Sequence, residues 1–350
     1  MAEATTEQDA NPESLATDAR THRPTGLVVL AGVLALSLAC GFSIGAIPIS
    51  LWSLLTGTAT ELEMTVFSEL RSPRVLLAGL VGASLGIAGA ALQGLFRNPL
   101  ADPQLIGVSS GAALGAIAMI VVGEAMAMPA SVTPYAVPLA AVAGALLVTA
   151  FLYTFATVFG QFSVVTILLV GIAINALSTV GIGLFQYLSD DRQLRTLVFW
   201  LMGSFGRASW TALVPAALTM LLAVVVLMRQ MRALDLLQLG EPEARHLGVN
   251  VERVKRQVVL ATAVGVGTAV ALSGIIGFVG LVVPHLVRLM LGALHRYVLP
   301  AAALLGAALL IAADLLARTV IVPAELPVSL VTSAIGGPFF LYLISRVRPT

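Results

Sequence analysis

The sequence predicts an all-α, polytopic membrane protein with about ten transmembrane helices, and three observations carry that prediction. First, 58% of its 350 residues are hydrophobic and mean hydropathy is +0.98. Second, charged residues make up 11%, against about 25% in a soluble domain. Third, apolar runs of about 20 residues recur, the length a helix needs to cross hydrocarbon. The short alternating segments of a membrane β-barrel are absent from the sequence.

The chain divides into a polar stretch, residues 1–25, and a transmembrane domain, residues 26–347. The first stretch holds five acids and no apolar periodicity, so it reads as a disordered cytoplasmic tail. It is too acidic to resemble the basic start of a signal peptide, so the apolar run at 27–50 is expected to stay as a spanning helix. Cys40, the single cysteine, falls inside that run and serves as packing.

The next runs, at 73–96 and 105–123, are rich in small residues. Gly82 and Gly86 form a GxxxG pair, as do Gly111 and Gly115, which lets helix backbones approach closely and predicts a compact bundle. Runs at 135–158 and 164–187 follow. Leu194–Phe205 is too short to span, and reads as a helix at the outer face or beside the route across the membrane. Its Phe199-Trp200 pair, with Trp210, suits an interfacial aromatic belt.

After the run at 210–228 comes the polar segment 229–256, with six of the chain's 19 Lys and Arg residues. So large an ordered-looking loop between spanning runs points to a docked soluble partner. Beyond it, one long apolar stretch is interrupted by Ser273-Gly274, Gly277, Gly280 and Pro284, and splits into 256–273 and 277–293. Runs at 299–317 and 328–345 complete the ten. With both termini cytoplasmic, 13 Lys and Arg residues fall inside and six outside (Arg71, Arg74, Arg192, Arg195, Arg207 and Arg318), the bias expected of an inner-membrane protein.

Candidate chemistry inside the membrane is sparse. Asp314 is the one plausible buried acid, and Arg318 one turn later would pair with it. That is too little for proton coupling. The chain has no GxxxxGK[ST] phosphate loop, no HExxH and no nucleophile-with-base grouping, so no catalytic site is expected on it. His246, His285 and His295 are far apart in sequence and no metal site is expected from them. A net charge of +1 says nothing about nucleic acid, and no nucleic-acid partner is expected.

Four stretches carry a resemblance: RSPRVLLAGLVGASLGIAGAALQGLFRNPLADPQLIGVSSGA at 71–112, GEPEARHLGV, GFVGLVVPHLVRLMLGALHRYVLP at 277–300, and AADLLARTVIVPAELPVSLVTSAIGGPFFLYL at 312–343. Together they resemble the iron-chelate and cobalamin (FecCD-type) permease family of ABC importers, over nearly all of residues 27–346. Ser329 departs from it, since the family typically has glycine after ELPV, and little consequence is expected.

The resemblance implies a type II ABC importer permease fold. It also implies a second permease copy, two cytoplasmic ABC ATPase subunits that bind ATP and Mg, and an extracytoplasmic substrate-binding protein, all at a lipid membrane. Leu239, Gly240, Glu241, Pro242, Glu243, Ala244, Arg245, His246, Leu247 and Gly248 would form the coupling element against the ATPase. Gly240 and Pro242 would set a tight turn, with Glu243 and Arg245 facing the partner. Arg71, Arg74 and Arg318 would receive carboxylates of the binding protein, as arginine's planar fork allows.

Asn98, Pro99 and Leu100 match the family's cytoplasmic constriction, and Val164 and Val165, after Ser163, its second gate. Asn98 could instead satisfy a local turn. The implied cargo is an iron chelate, hemin favoured, with ferric siderophore or cobalamin as the alternative. A secondary transporter without ATPase is the reading from a different class.

Overall fold

A backbone crossing hydrocarbon must satisfy its own N–H and C=O groups, so apolar runs of this length become helices. The computed structural model describes residues 12–126, 128–158, 164–321 and 323–346, and these form helices and no strand. In order they are α1 (Pro12–Ser43), α2 (Leu51–Thr56), α3 (Glu61–Thr65), a π-helical turn (Val66–Arg71) and α4 (Ser72–Phe96). A 3₁₀ turn (Pro103–Ile106) then leads to α5 (Val108–Val122), α6 (Thr133–Val158), α7 (Val164–Leu188), α8 (Asp191–Leu201) and α9 (Trp210–Met228). The last six are α10 (Met231–Leu237), α11 (Glu241–His246), α12 (Val251–Ser273), α13 (Val279–Leu291), α14 (His295–Thr319) and α15 (Val328–Arg346).

Seven of these stretches are long and apolar enough to cross a membrane, and three shorter apolar helices lie within α5, α13 and α15. Together they stand where the ten apolar runs predict helices. Helix α1 begins at Pro12, within the stretch 1–25. Alanines and leucine interleave with its polar residues there, and those are good helix formers.

Helix α4 is the centre of the bundle and packs against α9, α12, α13 and α14. Almost all of it from Ser72 to Phe96 is buried. Its glycines allow this. A Cβ on Gly82 would strike the carbonyl oxygen of Gly306 in α14, and one on Gly306 would strike that of Gly82. The second GxxxG pair works in the same way, with Gly111 and Gly115 of α5 against Gly144 and Ala140 of α6. Both pairs thus serve contacts within the chain. On the outside, Leu147 of α6, Leu177 and Val180 of α7, Leu218 of α9 and Leu341 of α15 are exposed apolar side chains, as a lipid-facing surface requires.

The long apolar stretch breaks at 274–278. Gly274 ends α12 at φ +72°, and Phe278 takes a left-handed conformation at φ +68° before α13 begins. Gly280 and Pro284, read from sequence as parts of the break, lie inside α13 instead. The first turn of a helix tolerates proline best, and Pro284 stands just beyond it.

Candidate functional site

At one end of the bundle the three arginines singled out in the sequence come together, each donating hydrogen bonds to groups within the chain while Arg318 Nε is left without an acceptor. Arg71 is 5% exposed. Its Nη1 donates to the carbonyls of Phe42 (2.9 Å) and Ser43 (3.0 Å), and its Nη2 to Ile47 (2.7 Å). Arg318 Nη2 donates to the Gly41 carbonyl at 2.5 Å. The last carbonyls of a helix have no partner within it, and these two arginines supply partners at the end of α1.

Arg74 lies between two acids. Its Nη2 is 2.8 Å from Asp314 Oδ1, and its Nη1 is 2.7 Å from Glu325 Oε1. Arg318 Nε is 3.7 Å from Asp314 Oδ2. Asp314 is therefore held mainly by Arg74 across the α4–α14 contact, and the i,i+4 pairing expected from sequence is the weaker contact. What this cluster presents to solvent is chiefly Glu325, whose side chain is 45% exposed.

Beside it is a cavity of about 580 Å³, walled by Tyr135 of α6, Phe199 and Trp200 of α8, Arg207, Ser273 and the Glu325–Pro327 loop. Helix α8 is capped by Asp190, which accepts from the Gln193 N–H at 2.7 Å. Its buried face carries Leu197 and Trp200. Trp200 is buried and Phe199 is exposed, and both border this cavity. Trp210 Nε1 donates to the Ser68 carbonyl, exposed in the π turn, at 2.7 Å. Ser329 has more consequence than expected: its Oγ donates to the Met202 carbonyl, tying α15 to the chain after α8.

At the opposite end, α10 and α11 stand out from the bundle. Gly240 sits at φ +128°, a conformation side chains rarely adopt, and Pro242 follows in the first turn of α11. Ala244 is fully buried and fixes which way α11 turns. Lys255 Nζ is 2.8 Å from Glu241 Oε1, and Arg245 Nη2 is 3.4 Å from Glu252 Oε1. That leaves Leu239, Pro242, Glu243, Arg245, His246, Leu247 and Gly248 exposed. Helix α10 is anchored to the bundle. Asp235 Oδ1 accepts from the His295 backbone N–H (2.7 Å) and lies 2.8 Å from its Nδ1, while Gln238 Nε2 donates to the Gly94 carbonyl (2.8 Å).

On the same side, α4 ends at Arg97 with φ +49°. Asn98 Oδ1 accepts from the Leu100 N–H at 2.9 Å, so the asparagine satisfies the turn, and Pro99 and Leu100 are exposed. The Pro103–Ile106 turn that follows packs on α7, with Gly171 against the Leu105 carbonyl. Asp102 caps that turn by accepting from the Gln104 N–H at 2.7 Å, and enclosure by protein pushes its carboxyl up to about 6. Val164 opens α7 and Val165 is exposed, whereas Ser163 falls outside the described residues. Among the described residues no group of three His, Cys, Asp or Glu side chains could hold a metal ion.

Sequence reasoning missed Glu325, Asp235 and Asp102. Each is polar in a loop or short helix, and its partner or enclosure comes from distant chain.

This bundle, with a protruding helix pair at one end and an arginine cluster at the other, is an ABC-importer permease of type II. The sequence profile of the FecCD transport family matches residues 29–346, and the chain belongs to that family. It is a transport protein and not an enzyme. The chain is 46% identical over 326 residues to the hemin transport system permease protein HmuU of Yersinia pestis, covering 92% of this chain and 95% of the relative. It is 44% identical over 299 residues to the vitamin B12 import system permease protein BtuC of Vibrio cholerae, covering 85% and 86%. A solved structure described as an inward-facing conformation of an ABC transporter assigned to the metal-chelate type matches with TM-score 0.83 at 33% identity, covering 93% of this chain and 100% of the other.

Proposed function

We propose that this chain is the permease subunit of an ATP-driven importer that carries hemin into the cytoplasm. It works as a homodimer with two cytoplasmic ATPase subunits, which bind the ATP and Mg²⁺, and an extracytoplasmic binding protein. The observation that carries the cargo assignment is the 46% identity to a hemin permease over nearly the full length of both chains.

Both termini lie on the cytoplasmic side, with α10 and α11. The exposed residues of α11 and its flanks, Leu239 to Gly248, sit in the ATPase surface. Closure of the ATPases on ATP pulls on α11, and the anchors from α10 to α4 and α14 pass that displacement to the core helices. Arg71, Arg74 and Arg318 shape the face that receives the binding protein, with Glu325 at its edge. Asn98–Leu100 and Val164–Val165 form the cytoplasmic gates, which open in alternation with the outer face. The cavity bordered by Phe199, Trp200 and Arg207 offers aromatic surface beside a cation, which suits a flat ligand bearing acidic groups.

The test is deletion of the chain, followed by growth on hemin as sole iron source with ferrous salt as control. Loss on hemin alone is the expected result, and growth on both would overturn the hemin assignment. Cobalamin is the second reading, favoured by the 44% identity to a vitamin B12 permease. Uptake of cobalamin into proteoliposomes holding the whole transporter, stopped by withholding ATP, would support it.

A further inference from the structure

Where α9 leaves the membrane, three arginines gather without a carboxylate of their own. Arg229 follows the last residue of α9, Arg232 is on the first turn of α10, and Arg253 is on the first turn of α12. All three line one groove of about 490 Å³ between those helices, and no acid is among its lining residues. Its inner wall is polar: Gln230, 8% exposed, donates Nε2 to Gln257 Oε1 at 3.1 Å. Asn250, also lining the groove, caps the start of α12. The N-terminal end of that helix adds partial positive charge.

The neighbouring acids are engaged elsewhere. Asp235 holds His295, Glu241 and Glu252 pair with Lys255 and Arg245, and Glu243 folds back over Gly240. Among the described residues, none of the three arginines enters an ion pair. Arginines at a membrane boundary are common in themselves. Three that converge on one concavity, uncompensated, are a site.

We propose that this groove binds a phosphate-bearing anion, and that the anion is the headgroup of an anionic phospholipid. Guanidinium groups fit phosphate oxygens two at a time. Basic pockets between spanning helices at a membrane face take such headgroups. Position selects lipid over free phosphate. The membrane-spanning run of α9 ends at Met228, one residue before Arg229. Exposed Leu221, Leu222 and Val225 on α9 lead an acyl chain towards the groove. Val249 also lines it, so a bound headgroup braces the chain just after α11 against α10 and α12.

The test uses the full-length chain in neutral detergent, titrated with phosphatidylglycerol or phosphatidylcholine and read by native mass spectrometry and thermal melting. Phosphatidylglycerol is expected to be retained at least about tenfold more strongly, losing about fivefold for each of Arg229→Gln, Arg232→Gln and Arg253→Gln. Arg256→Gln, on the same helix outside the groove, leaves retention unchanged. Should one of these variants fail to fold, the other two give the reading. Equal retention of the two lipids, or variants that bind as wild type, overturns the site. A melt raised by inorganic phosphate alone, with nothing added by phosphatidylglycerol, keeps the anion site and overturns the lipid assignment.

Discussion

Arg74 and Asp314 meet across 240 residues of sequence, with Nε 3.0 Å from both carboxylate oxygens and Nη2 2.8 Å from Oδ1. This contact joins α4 to α14 at the end of the bundle where α1 also terminates. A buried carboxylate, here 1% exposed, is tolerated only when a cation and further hydrogen bonds compensate its lost hydration.

Arg74→Ala should therefore destabilise the protein by about 3–5 kcal/mol, because it strands Asp314. The double variant Arg74→Met, Asp314→Leu should recover most of that loss. Thermal unfolding in detergent of the two singles and the double decides it. Singles that cost nothing would mean that Glu325 and Arg318 rearrange to compensate.

Gly82→Ala should cost about 1–3 kcal/mol, since its methyl group meets the backbone of α14 and neither helix can yield alone. Gly32→Ala, with nothing within 4 Å of its Cβ position, should stay within about 0.5 kcal/mol of wild type. Melting temperatures of the pair in one detergent make the comparison.

Stability should depend on pH through Asp102. Its folded carboxyl is raised to about 6 from an ordinary 3.8, so the folded state holds the proton more tightly than the unfolded state. The resulting stabilisation is full below about pH 3.8 and is lost as pH rises through about 6. Asp102→Asn keeps an oxygen to accept from Gln104. It should gain on wild type across that window by at most about 3 kcal/mol, and hold a constant difference above it. Unfolding at pH 4, 5, 6 and 7 tests this, and parallel curves for the two proteins would refute it.

Asp235→Ala removes the acceptor that fixes α10 to the start of α14. Amide exchange across residues 231–248 should rise while that of α12 holds. ATP-dependent uptake should fall several-fold with the ATPase still bound. Loss of ATPase binding would mean that α10 itself forms the docking surface.

How much of this could be read from sequence depends on the range of each interaction. The ten apolar runs were legible because hydrophobic length is a local property. So was the turn at Gly240 and Pro242, which relies on residue types with special backbone conformations. The GxxxG pairs announced close contacts, but not that Gly82 would meet Gly306. Asp314 was assigned to Arg318 because that partner is one turn away, whereas the stronger partner, Arg74, is distant in sequence and sits in another helix. Asp235 with His295 and Glu325 with Arg74 were hidden for the same reason. That Trp200 is buried while Phe199 beside it is exposed could not be read from composition, which does not tell which face of a short amphipathic helix turns inward.

The π turn at Val66–Arg71 holds one last consequence. It lies within a continuous helical run from Glu61 to Phe96, immediately ahead of the glycine-rich face of α4. A π turn is one residue wider than an α turn, and a residue advances an α-helix by about 100°. Because one π turn uses one residue more than one α turn, removing one residue there would leave an α turn and keep the upstream helix in nearly the same phase relative to the glycines. Trp210 would lose its carbonyl at Ser68, while the packing downstream kept its phase. The turn thus absorbs one extra residue without turning the outer rim against the contact that seals the bundle. A single-residue deletion at 66–70 should therefore spare the core and the phase of the rim, and cost only the contact at Trp210.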